Sequence, residues 1–155
     1  MKKVTVLPAL SCITSDLFNL KKTGSDKQYH GDNFKALIAG TPNIETPEMK
    51  VQIYTLEKAM NDFEIRDTLG GNEKFAYKSK AEALRVLAVT MTDEYRDGKS
   101  NIVYYLVAGG LRYVNCRWDA GLARWDCNDD AASTATWYAG RRVFYFATDP
   151  QSLEA

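Results

Sequence analysis

Apolar residues between positions 80 and 96 recur at the spacing of one helical face: Leu84, Leu87, Ala88, Met91 and Tyr95 follow at steps of three and four. Ser79 and Glu82 stand just ahead as a Ser-x-x-Glu capping box, and Asp97-Gly98 supplies the stop. The pattern predicts a helix over about 80–97, with Arg85, Asp93 and Arg96 on its solvent face. A second stripe of Met49, Ile53, Leu56, Met60 and Phe63 follows Thr46-Pro47-Glu48, which combines a capping threonine, a proline at the first helical position and a first-turn acid. It predicts a helix over about 47–69, closed by Gly70-Gly71. The competing reading of its first part is a strand at 50–55, with Val51 and Ile53 on one side.

The first forty residues are less regular. Residues 3–7 read as a strand ended by Pro8, residues 15–20 as a helical turn, and residues 21–31 as a polar loop. Asp32 then caps a short helix whose Phe34, Leu37 and Ile38 share one face and which Gly40 ends.

From residue 101 onward the period changes from helical to alternating. Residues 102–107 form a predicted strand, Gly109-Gly110 a two-residue hairpin turn, residues 111–119 the return strand, and residues 142–147 a last strand. Strands joined by short connections favour an antiparallel meander with the helices packed on one face. The expected class is therefore α+β: a single domain spanning 1–155, with a C-terminal meander on two principal helices, about 47–69 and 80–97.

One hairpin register can be worked out from the residues alone. Arg-Trp-Asp occurs at 117–119 and again at 124–126, with Cys116 and Cys127 outside them. Folding about a loop of residues 120–123 sets Trp118 against Trp125, Cys116 against Cys127, Arg117 against Asp126 and Asp119 against Arg124. Alternation then places both tryptophans and both cysteines on one face and the charges on the other, and a one-residue slip undoes every pairing. Directly opposed cysteines could bridge, but the expected state is a pair of small buried thiols.

Composition adds little direction. Lysine plus arginine and aspartate plus glutamate number twenty each, so no global field draws the chain to nucleic acid or an anionic membrane. No apolar run approaches the roughly 20 residues of a membrane-crossing helix. Met1-Lys2-Lys3, an apolar stretch and then Cys12 loosely resemble a bacterial lipoprotein signal, but Thr5 and Pro8 interrupt the stretch. A cytoplasmic location is expected, with lipid anchoring through Cys12 as the alternative.

Candidate chemistry is sparse. His30, the single histidine, lies in the polar stretch with nothing tying it to a cysteine, and reads as an exposed loop residue. The cysteines lack the short spacing of a zinc site, and the oxygen-rich run Asp126, Asn128, Asp129 and Asp130 lacks the glycine and distal glutamate of a calcium loop, so it reads as a solvated turn after the strand. Neither glycine pair has the flanks of a phosphate loop. No catalytic residue, metal site or cofactor is expected.

The distribution of aromatics does stand out. All three tryptophans and ten of the eighteen aromatics lie within residues 101–146, where arginine replaces lysine entirely. Tryptophan, tyrosine and arginine dominate binding hot spots. The expectation is a small non-enzymatic binding protein, an inhibitor or accessory factor, that meets a protein partner through this sheet. The candidate contacts are Tyr105, Tyr113, Arg117, Arg124, Trp125, Arg141, Arg142 and Tyr145, with Tyr105, Tyr113 and Tyr145 pointing outward. The alternatives are a single-stranded nucleic-acid binder, disfavoured by the charge balance, and an enzyme with a carboxylate site assembled across space.

Overall fold

The computed structural model describes Phe18 and residues 2–7, 27–41 and 49–146. The helical turn expected at 15–20, apart from Phe18, and the position of Cys12 lie outside the described residues. In chain order the elements are β1 (Lys2–Leu7), β2 (Gln28–His30), α1 (Asp32–Gly40), β3 (Met49–Thr55), β4 (Met60–Asn61), α2 (Asp62–Thr68), α3 (Asn72–Phe75), α4 (Lys80–Thr90), a 3-10 turn (Asp93–Tyr95), β5 (Asn101–Val107), β6 (Gly110–Asp119), β7 (Arg124–Ala131), β8 (Thr136–Trp137) and β9 (Arg142–Phe146).

The fold is α+β, built on a mixed sheet. Among the described residues seven strands pair in the order β1-β3-β9-β5-β6-β7-β2, while β4 and β8 form a separate small ladder. The meander is limited to β5, β6 and β7. Instead of extending it, β9 runs between β3 and β5, antiparallel to the first and parallel to the second. The chain reaches that position by crossing one face of the sheet through β8, which pairs with β4.

That crossing puts cover on both faces of the sheet, not on one. α1 and α4 lie over one face, where Phe34, Leu37, Leu84, Val86 and Leu87 pack with Val103, Val114, Trp125 and Phe144. α2, α3 and β4 lie over the other, where Leu56, Met60, Ile65, Leu69 and Phe75 pack with Ile102, Tyr104, Val143 and Tyr145. Both strand faces thus bury apolar side chains, which is why Ile102, Val103, Tyr104 and Tyr105 are all fully buried in succession.

The helix expected over 47–69 is corrected. Its first part is strand β3, hydrogen-bonded on both sides by β1 and β9. Met49, Val51 and Ile53 alternate into the core, and Met49 and Ile53 satisfy a period of two as well as one of four. Two neighbouring strands supply pairing that the local helix signals cannot outweigh. A helix does begin later, at Asp62. The Asn61 side chain accepts from the Phe63 and Glu64 amides at 3.0 and 2.9 Å, while Glu64 accepts from the Asn61 amide at 2.9 Å. This Asn-x-x-Glu capping box is the true start signal.

α4 begins as expected, with Ser79 accepting from the Glu82 amide, but ends at Thr90. The Thr90 carbonyl accepts from the Asn101 amide at 3.5 Å, and the Thr90 hydroxyl donates back to the Leu87 carbonyl at 2.8 Å, turning the chain toward β5. Arg85 is buried and not on a solvent face.

The hairpin of β6 and β7 has the register expected from sequence, with Trp118 opposite Trp125, Cys116 opposite Cys127, Arg117 opposite Asp126 and Asp119 opposite Arg124. The charges bond differently: Arg124 reaches along its own strand to Asp126 at 3.0 Å, and Asp119 accepts from the Leu122 amide at 3.1 Å. Both cysteines are free and buried. The turn between β5 and β6 sits one residue earlier than expected, at Ala108-Gly109, since Val107 pairs with Gly110. Gly110 takes φ +123°, a conformation few other residues adopt.

His30 is not in a loop. It lies on β2, paired parallel to β7, only 3% exposed, with its Nε2 2.8 Å from the Gln28 side-chain oxygen. Phe18 and Phe34 pack against its ring.

Candidate functional site

Alternation along β6 and β7 sorts their side chains. Val114, Cys116, Trp118, Trp125 and Cys127 face α1 and α4, whereas Tyr113, Asn115 and Arg117 lie on the opposite face, across from Asp130, Asn128 and Asp126. The α2 and β8 layer covers only one end of that opposite face. There Trp137 meets Tyr113 edge to face, ring centroids 5.2 Å apart. Beyond this aromatic corner the sheet opens into a cavity of about 410 Å³ lined by Asp32, Asn33, Tyr113, Asn115, Asn128, Asp129, Asp130 and Trp137.

Three separate segments converge here. β2 docks beside β7 and hands the chain directly to α1, because the Gly31 amide donates to the Cys127 carbonyl at 3.0 Å. The start of α1 is thereby set at the pocket rim. A Cβ at Gly31 would fall 2.5 Å from the Oδ1 at the tip of the exposed Asn128 side chain, which would have to move aside. On the floor, Asn115 is only 9% exposed.

The walls are acidic. Among the described residues no lysine or arginine lines this cavity. Burial, followed by the charges of Asp130, Asp62 and Asp129, pushes the Tyr113 hydroxyl up to about 12. Asp129 is partly neutralised: it accepts from the Tyr105 hydroxyl at 2.5 Å and from Arg112 at 2.8 Å, while Arg112 also donates to Tyr105 at 3.3 Å. Among the described residues Asp32 and Asp130 have no such cation.

Asp129 and Asn33 also line a second cavity of about 310 Å³ toward α4, with Leu37, Lys80, Tyr105, Val107 and Arg112. Behind the aromatic corner, the buried Asp62 accepts from the Tyr104 hydroxyl at 2.5 Å, the Trp137 indole at 2.7 Å and the Ser133 amide at 2.8 Å. It holds Trp137 in place.

The residues expected to face a partner divide sharply. Arg117 is exposed beside the pocket, Tyr113 forms its wall, and Arg124 lies half-buried with its guanidinium 4.4 Å above Tyr29, itself 44% exposed. Arg141 is distant in role, stacking at 5.7 Å on the exposed Tyr138. Four others point inward. Tyr145 bonds Gln52, and Tyr105 is held by Asp129. Trp125 packs on Trp118 beneath Arg96. Arg142 makes two hydrogen bonds to Asp97, at 2.7 and 2.9 Å, and one to Asn101 at 2.8 Å. Tyr105 and Tyr145 are thus corrected from outward to buried: both faces of the sheet are covered where they sit.

Asp32, Asn33, Asn115, Asn128, Asp130 and Trp137 were not singled out as a site by sequence. The one available signal was the alternation of Asp126, Asn128 and Asp130, which belongs to strand β7 and not to a solvated turn. Among the described residues no three histidine, cysteine, aspartate or glutamate side chains gather to hold a metal ion. No described helix is long and apolar enough to cross a membrane. The chain matches no protein-family model, no curated protein and no solved structure.

Proposed function

We propose that this is a small binding protein, an inhibitor or accessory factor, that engages a protein partner through the open face of β6 and β7 beside β2. The observation that carries this reading is the pocket itself: a preformed cavity opening beside the exposed Arg117 and the stacked pair Tyr29 and Arg124. Aromatic and arginine anchors around a pocket are the usual composition of an interface hot spot. The acidic lining would repel phosphate, which weighs against a nucleic-acid strand. The carboxylates of Asp62 and Asp129 are already occupied by donors, which suits positioning better than proton transfer.

Capture experiments from cells that produce the protein test this. One protein should be retained by the wild-type chain and by Arg141→Glu, and lost with Arg117→Glu and Tyr29→Ala. Retention unchanged in the latter two would sink the interface, and salt-sensitive retention on oligonucleotide would favour the nucleic-acid reading.

A further inference from the structure

We propose that the pocket beside Trp137 receives the guanidinium of an arginine side chain presented by the partner, an inference that rests on the partner-binding reading above. The volume, about 410 Å³, is at the small end of ligand sites, enough for one long side chain. Asp32 and Asp130 give the lining a negative charge, no lysine or arginine among the described residues lines the cavity, and Arg112 is paired with Asp129. A cation is therefore drawn in and a carboxylate or phosphate kept out.

The hydrogen-bonding inventory narrows the cation. Asn115 and Asn128 stand directly opposite each other and both line the cavity, with Asp130 two residues on along β7. An occupant must supply several donors at once. A guanidinium carries five N–H groups in one rigid plane, whereas an ammonium is a more strongly hydrated point charge with three. The Asn115 side chain, 9% exposed on the cavity floor, offers such a donor an acceptor.

The aromatic corner completes the match. Tyr113 and Trp137, inclined at 80° to each other, offer a ring face, and a guanidinium stacks on such a face at small desolvation cost. Trp137 is held there by Asp62 through its indole N–H, so the wall is set before anything binds.

The test titrates the full-length protein with the capped tripeptides acetyl-Gly-Arg-Gly-amide, its lysine counterpart and its citrulline counterpart, which has nearly the same shape but no charge. Binding is followed by the Trp137 indole N–H resonance. The arginine peptide should bind at millimolar concentration, and the citrulline peptide about tenfold or more weaker, a difference of about 1.4 kcal/mol. Asp130→Asn and Asn115→Leu should each weaken arginine binding by a similar factor. Asp130 is exposed, so its substitution leaves the fold intact. Equal binding of citrulline, binding of a neutral sugar in preference, or indifference to Asp130→Asn would overturn the proposal. Partner capture that needs Arg117 and Tyr29, with no response to the arginine peptide, would overturn the pocket assignment alone. An arginine response with no captured protein would overturn the partner reading alone.

Discussion

The indoles of Trp118 and Trp125 meet edge to face across the β6–β7 hairpin, ring centroids 5.4 Å apart and inclined at 65°, with the Arg96 guanidinium 4.3 Å from the Trp118 ring centre. The pair faces the helices, so the aromatic stripe of the hairpin belongs to the core. Trp125 is only 1% exposed, and Trp125→Ala is expected to cost about 3–5 kcal/mol. Trp118 is half-buried and its loss should cost less. A double-mutant cycle by urea unfolding should give a coupling of about 0.5–1.5 kcal/mol. Equal costs for the two single variants would contradict the inward orientation.

The hairpin was legible because its information is local: like residues and opposite charges fall symmetrically about a four-residue loop, and only one register suits them all. β3 was legible only as the competing reading of residues 50–55, since Met49 and Ile53 fit both periods and its identity is decided by β1 and β9, the latter some ninety residues away. Insertion of β9 between β3 and β5 is likewise non-local. It also explains Arg142, which looked like a surface arginine but is anchored by Asp97 and Asn101 at the end of β9. The pocket gathers Asp32, Asn115, Asn128 and Trp137 from three stretches of chain, none carrying a motif by itself. Asn115 in particular reads as an unremarkable strand residue until its cross-strand partner is known.

Asp62 accepts hydrogen bonds from Tyr104, Trp137 and the Ser133 amide while fully buried. Asp62→Ala would leave those donors without an acceptor and should cost roughly 3 kcal/mol or more, whereas Tyr104→Phe, which removes one donor, should cost about 1.5 kcal/mol. Because Asp62 positions Trp137, the alanine variant should also weaken the arginine-peptide response. Urea midpoints and the peptide titration check both. A destabilised variant with undiminished peptide binding would separate Asp62 from the pocket.

Cys116 and Cys127 sit opposite one another with no exposure to solvent. Burial pushes the Cys116 thiol up to about 11, though its hydrogen bonds with Thr90 and Asn101 pull partly the other way, and burial raises Cys127 well above its ordinary value. Since the thiolate is the reactive form, both should resist alkylation in the native state and label rapidly on unfolding. Peptide-resolved mass spectrometry reads each site separately. Fast native labelling of either would contradict the packing against Thr90 and Met91.

His30 gives the fold a pH dependence of predictable sign. Burial, and secondarily the charge of Lys35, lower its pKa to about 4, against an ordinary 6.5. Above pH 6.5 the ring is neutral in both folded and unfolded chains and contributes no slope. As pH falls from about 6.5 toward 4, the unfolded chain takes up a proton that the native state refuses, so stability declines, by up to about 3 kcal/mol in total. Below about 4 both states are protonated and the loss levels off. Asp97, held below the ordinary carboxylate range chiefly by its hydrogen bonds from Arg142, loses its contribution only below about 3.8, outside this window. His30 is the single histidine of the chain, so the decline should be its own. Urea unfolding at pH 7.5, 6.0 and 4.5 measures it, and His30→Gln, which keeps a polar group beside Gln28, should flatten the profile. An undiminished slope in that variant would mean that some other group takes up the proton.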